Sequence, residues 1–468
     1  MESVPVLPRE ERTPLGTRLY YEGLRFCIIG VCMGLNIGLN GIVQRHDNGG
    51  VTITRPGRSG GAGIEVEVPE SLAEEFRLAT GDVVEGPHES IDSVQSAQGA
   101  SEEWYEHYSL LEQEEQRDEP GAVRGVSIPV WLSNRTVPTE RLTDITRING
   151  LSLPEAEERP FPRKRNNAER STPDRWLELA AGTSDTTGRL LDFAAPLGAG
   201  SVGIIYGPHA SGLTRTLETL VAGVTANAPD IVVLVLLLRA RGEEVTEWRR
   251  RFKQGDVIVC PTAAAGAAPE ETLRVADLAM ACALRQTELG KHVLLAVDSL
   301  TGLWGTMLEA EHADAQSEAD QSRARYTFRE WMQKAGNFGG PGLLGNAIGG
   351  SLTLVGTVWH QTIDAEAEEE RDLHPHLRLL EHLLHETSWR VPLSDILRQE
   401  RLFPAIDVGR CLSHYEQHLL PPETYDHLLA ARGQLARMDF MKRYHTLLDA
   451  IESTANSEEL LNSLLNPI

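Results

Sequence analysis

Lysine is almost missing from this chain. Only Lys164, Lys253, Lys291, Lys334 and Lys442 occur in 468 residues, and none precedes Lys164. Positive charge is therefore carried by arginine, with 44 Lys plus Arg against 68 Asp plus Glu and a net charge of −24. So acidic a chain excludes a general polyanion binder, because such binding needs basic groups to displace counterions from phosphates. Any basic site must be local. Cysteine is also sparse: Cys27, Cys32, Cys260, Cys282 and Cys411 match no disulfide or zinc spacing, which implies a reducing, cytoplasmic setting. Long apolar runs are absent. The segment Phe26 to Leu39 falls short of the roughly 20 residues a span requires and contains Asn36, so it predicts a buried helix or strand and no membrane association.

What is present divides the chain. Residues 1–40 form an N-terminal segment of undefined role, and 41–150 hold short alternating runs such as VTIT and IEVEV, the pattern of half-buried strands in a small β-barrel. SLAEEFRLA reads as a short helix between strands, and VSIPVWLS as a further strand. An acidic insertion occupies about 90–120, and a linker containing PFPRKR runs over 151–185. From 186 to 415 fully apolar strands alternate with helices, which predicts a mostly parallel sheet covered on both faces. Residues 416–468 read as a helical subdomain.

Two motifs in the α/β half point to phosphate chemistry. Gly207-Pro-His-Ala-Ser-Gly-Leu-Thr214 has the spacing of a phosphate-binding loop, G-x-x-x-x-G-K-[ST], between a strand and a helix. Backbone N–H groups of His209, Ala210, Ser211, Gly212 and Leu213 would face phosphate, and Thr214 would face Mg²⁺. Leu213 stands where lysine is required and supplies no charge. LLAVD ends in Asp298, the second metal-site candidate, holding Mg²⁺ through water. His374, His376, His382 and His385 show no metal spacing and read as solvated; Trp331, Trp359 and Trp389 read as core or interface anchors.

Several longer stretches together resemble the transcription termination factor Rho, a hexameric RNA-dependent ATPase related to RecA. They are LLDFAAPLGAGSVGIIYGPHASGLT, PDIVVLVLLLRARGEEVTEW, HVLLAVDSLTGL, GGSLTLVGT and RLFPAIDVGR, with GGVTITRPG and FRLATGDVVEG in the N-terminal half. The resemblance implies an α/β RecA-like P-loop NTPase core behind an OB or cold-shock-like barrel, and a ring assembly. The departures bear on function. Beside the missing lysine, the position of the water-polarising Glu falls on Ala240, and that of the arginine finger on Asp395, with Arg390, Arg398 or Arg401 as shifted substitutes. Each loss commonly lowers the rate by a few orders of magnitude.

The implied RNA path is degraded too. The aromatic-bearing barrel strand is Gly50-Val-Thr-Ile-Thr-Arg55, leaving Arg55 as a weak RNA contact, and Phe76 is the only aromatic between 41 and 100. The stretches in place of the RNA-gripping pore loops, 307–320 and 363–372, carry five and six acids against one arginine in all. The resemblance, with these departures, implies a non-catalytic pseudo-ATPase that acts as a binding, assembly or regulatory partner in termination. It would form a homo- or hetero-oligomeric ring, with Rho itself or RNA polymerase as partner, and ATP and Mg²⁺ binding would be weak or absent. One alternative is a divergent, active ATP-dependent RNA translocase in which Arg239 or Arg241 replaces the lysine. Another is a nucleotide sensor without hydrolysis.

Overall fold

A computed structural model describes residues 41–46, 49–55, 64–90, 140–159, 170–182, 184–252, 257–259, 263–264, 266–311, 318–338, 350–360 and 375–465. Residues 1–40, nearly all of the acidic insertion, VSIPVWLS, the PFPRKR run and the acidic stretch 363–372 lie outside the described residues.

Short β-branched runs punctuated by Gly and Pro build the N-terminal sheet. Strands β1 (Gly41–Arg45), β2 (Val51–Arg55) and β3 (Ile64–Glu67) form an antiparallel meander. Helix α1 (Glu70–Glu75) leads to β4 (Val83–Glu85) and β5 (His88–Ser90), followed by β6 (Glu140–Leu142), β7 (Arg147–Ile148), β8 (Leu151–Ser152) and α2 (Leu153–Glu157). The strand order is β5-β6-β3-β2-β1-β4-β7-β8. The core beneath holds Val43, Ile53, Val66, Val84, Leu142 and Ile148, with Leu151, Leu153 and Ala156 packed on it. Residues 151–157 therefore belong to this sheet domain and not to a linker, because three apolar side chains there find a core.

The strands also differ from the half-buried expectation. Val51, Thr52, Ile53 and Thr54 are all buried. Val51 and Ile53 face the domain's own core, whereas Thr52 and Thr54 lie opposite Gln44 and Ile42 on the other face. That face is covered by the α/β half: Ile42 and Val83 belong to its core cluster, and Arg274 donates to Gln44 and Glu65 at 2.9 Å.

The α/β half begins with β9 (Trp176–Leu177), α3 (Thr186–Ala194) and β10 (Leu197–Gly198), which pairs with β9. Then follow β11 (Val202–Pro208), α4 (Leu213–Asn227), β12 (Val232–Ala240), α5 (Gly242–Arg251), β13 (Val257–Val259), β14 (Ala263–Ala264) and α6 (Pro269–Glu288). Next are β15 (His292–Asp298), α7 (Leu300–Ala310), α8 (Glu318–Met332), β16 (Gly336–Asn337), β17 (Ser351–His360), α9 (Pro375–Glu386), β18 (Trp389–Pro392), α10 (Asp395–Gln399) and β19 (Leu412–Ser413). Helices α11 (Glu416–Leu419), α12 (Pro422–Leu435), α13 (Phe440–Ser453) and α14 (Ser457–Leu465) complete the chain. The main sheet runs β13-β12-β15-β17-β11-β18-β19, parallel from β13 to β18.

Its two faces carry separate cores. One packs against α3, α4 and the C-terminal helices, so residues 416–465 share the core of the α/β half; the other packs against α6, α7, α8 and α9. The acidic stretch expected as a pore loop begins inside α7. Met307 and Leu308 are buried, and they hold Glu309 and Ala310 in the same helix. Residues 312–317 of that stretch are outside the described residues. Among the described residues no helix is long and apolar enough to cross a membrane.

Candidate functional site

The carboxyl ends of β11, β12, β15 and β17 converge on one cavity of about 840 Å³, a size that suits a nucleotide. Its lining includes His209, Ala210, Gly212, Leu213, Thr214, Ala240 and Asp298, so the loop, the metal-site candidates and the position of the expected Glu come together. Asp395 and Arg55 are not on this wall. Asp395 sits on α10, accepting from Arg398 at 2.6 Å and Gln399 at 2.7 Å; Arg55 lies in β2 of the N-terminal sheet.

The loop geometry follows from its small residues. Gly207 leaves β11 where a Cβ would meet Leu393 at 2.8 Å and Ser211 Oγ at 3.0 Å. Gly212 has φ +98°, and a Cβ there would lie 2.0 Å from the Phe403 ring. The first-turn N–H groups of α4 have no intrahelical acceptors and no side-chain cap at Gly212, and Gly212, Leu213 and Thr214 line the cavity. Ser211 Oγ is buried without a hydrogen-bond partner. Phosphate oxygens would satisfy the first-turn N–H groups, whereas Ser211 is fully buried and off the cavity wall. Leu213 lines the cavity but also packs against the α4-side core, consistent with an apolar chain where an ammonium would extend to phosphate.

At the cavity floor Thr214 Oγ1 donates to Asp298 Oδ2 at 2.7 Å, and Thr357 Oγ1 donates to Asp298 Oδ1 at 2.6 Å. Burial pushes the Asp298 carboxyl above the ordinary carboxylate range, the hydroxyls of Thr357 and Thr214 pull it back, and Glu244 adds to the upward push. One carboxylate and two hydroxyls are hard oxygen donors and suit Mg²⁺, which usually takes a carboxylate or two and completes its shell with water and substrate phosphates. Among the described residues no cluster of three or more His, Cys, Asp or Glu forms a protein-only metal cage. The residues thus fit a phosphate chain with Mg²⁺. Of the groups that the resemblance to Rho leads one to expect here, Leu213 replaces the lysine and Ala240 the glutamate.

Among the residues that escaped the sequence reading as site components are three on the wall, Thr357, Glu244 and Trp359, and one beside the loop, Phe403. Thr357 follows Asp298 only through the register of β17 against β15. Glu244 lies on α5, where its carboxylate accepts from Arg241 N at 2.9 Å; the EEVTE motif contained it without revealing that it faces the cavity. Trp359, expected as an anchor, lines the mouth and stacks edge-on to His209 at 6.1 Å. Phe403 stands beside the loop, half exposed, with the Arg215 guanidinium 6.0 Å over its ring. Away from the site, His382 is half-buried rather than solvated, and burial lowers its pKa.

Comparison with known proteins agrees with this fold. The ATP synthase alpha/beta family nucleotide-binding domain matches residues 188–413. The chain is 27% identical over 322 residues to transcription termination factor Rho of Mycobacterium tuberculosis (strain ATCC 25618 / H37Rv), covering 68% of this chain and 50% of that one. It is 26% identical over 298 residues to Rho of Pseudomonas aeruginosa, covering 62% of this chain and 66% of that one. It therefore spans only about half the length of the mycobacterial relative. Among solved structures, the assembled ATPase EscN of the enteropathogenic E. coli type III secretion system superposes with a TM-score of 0.51 at 16% identity, over 74% of this chain and 78% of that one, a likeness of fold. The chain carries a P-loop nucleotide-binding fold of the ATP synthase alpha/beta type behind a small β-sheet domain, and it resembles transcription termination factor Rho.

Proposed function

We propose that this chain is a Rho-like protein that binds a magnesium nucleotide without hydrolysing it and serves transcription termination as an assembly or regulatory partner. One observation carries the reading: the same cavity that holds the Thr214, Asp298 and Thr357 cluster has Ala240 where a proton acceptor is needed. The nucleotide supplies a polyanionic phosphate chain when bound. Loop N–H groups would hold it, Thr214 and Asp298 would hold the metal, and neither Leu213 nor Ala240 would polarise a water or neutralise developing charge. Affinity is expected to be weaker than for a lysine-bearing loop. The test is paired: equilibrium binding of MgATP to the full chain, and phosphate release with and without RNA. Saturable binding without release supports the reading, and RNA-stimulated release contradicts it.

A second reading is a divergent ATPase, favoured by the presence of Glu244 on the cavity wall. It requires Glu244→Gln to abolish a measurable turnover. A hetero-oligomeric ring with a complete Rho belongs to the first reading, with mixed-subunit assembly on a sizing column as its check.

A further inference from the structure

Side chains of β12 alternate between the two cores. Val233, Val235 and Leu237 face the α4 side, and Val232, Leu234, Leu236 and Leu238 face the α6 and α7 side. By that period Arg239 belongs on the α4 side, with the phosphate loop. Its backbone departs instead into the left-handed region at φ +57°, unfavourable for an arginine. The guanidinium reaches α7, where Nη1 donates to Glu309 Oε1 at 2.6 Å.

The pair is open to competition. Arg239 and Glu309 side chains retain 35% and 48% of their exposure, and ion pairs so exposed are weak. Arg239 nevertheless lines the nucleotide-sized cavity. Of the other cavity arginines, Arg251 donates to Glu218 at 2.6 Å and Arg215 lies over Phe403, whereas Arg241, exposed at the head of α5, gives its backbone N–H to Glu244 and follows Arg239 by two residues. A guanidinium held by a weak, exposed partner through a strained backbone has a second position available, the extended one on the α4 side. There it would meet the phosphate chain, for which its fork of donors is suited.

We propose that Arg239 is the specificity determinant for a terminal phosphate in this cavity, with Glu309 competing against that phosphate for its guanidinium. The proposal rests on the nucleotide-binding reading above and adds to it a preference for triphosphate over diphosphate. The experiment is calorimetric titration of the full chain with a non-hydrolysable ATP analogue and with ADP, each with Mg²⁺. Arg239→Ala should weaken the analogue about tenfold or more, the value of a charge-assisted hydrogen bond, and leave ADP within about twofold. Glu309→Gln, an exposed change, should tighten the analogue and leave ADP unchanged. An analogue-to-ADP affinity ratio identical in wild type and both variants overturns the role of Arg239 while the binding reading stands. A wild-type chain that binds neither nucleotide overturns both.

Discussion

On the function proposed above, Leu213 and Ala240 are the residues that separate binding from turnover, the first in place of a lysine and the second in place of a glutamate. Leu213→Lys should strengthen MgATP binding by roughly tenfold through one charge-assisted contact, measured by calorimetry, and still give no phosphate release. Adding Ala240→Glu to that variant should produce measurable release. The α3 residue Asp192 offers a prediction away from the site. It accepts from Leu179 N at 2.9 Å and Ala180 N at 2.9 Å, and burial raises its carboxyl from 3.8 to about 8. A carboxyl raised on folding stabilises the fold fully below its unfolded value, and that contribution fades as pH rises towards about 8. The stability advantage of wild type over Asp192→Asn should therefore shrink between pH 4 and 8 in thermal melts. At this scale the missing lysine was legible from the spacing of the phosphate loop, and the missing glutamate from the resemblance to Rho. Thr357 and the turned backbone of Arg239 were not, because strand register and a local dihedral leave no mark in residue order.

Between elements, the decisive contact is the seam joining the N-terminal sheet to α6. Asp82, fully buried, accepts from Arg285 Nε at 2.7 Å and Asn149 Nδ2 at 2.6 Å, and Arg159 Nη2 lies 3.4 Å away. Next to it Gly81, at φ +94°, would place a Cβ 2.5 Å from Ala281 O of α6. Arg285→Ala removes the shorter of Asp82's two arginine contacts, leaving the buried carboxylate to Arg159 and Asn149, and should destabilise the chain by about 3 kcal/mol, read from denaturant unfolding. Gly81→Ala should separate the seam without touching either core, so that calorimetry resolves two transitions where wild type shows one. The strand and helix sequence of the α/β half was readable because its apolar runs are long and its periods clean. The burial of both faces of β2 was not, since the covering helix lies about 200 residues away. The start of α7's acidic end was hidden similarly: Glu309 and Glu311 masked the buried Met307 and Leu308 that fix the helix.

For the whole molecule, the excess of 24 negative charges and the scarcity of lysine are the widest departures from an RNA-driven motor. Weak, steeply salt-dependent RNA binding follows from such a field, and nitrocellulose retention of RNA should vanish well below physiological salt. The fold is of the P-loop nucleotide-binding type, and the proposed function requires that binding survive without turnover. The most direct measurement is phosphate release from MgATP, with and without RNA, at a nucleotide concentration shown by calorimetry to saturate the chain. Bound nucleotide with no release above the level of Asp298→Asn is the expected result. RNA-stimulated release that Asp298→Asn abolishes would contradict the account.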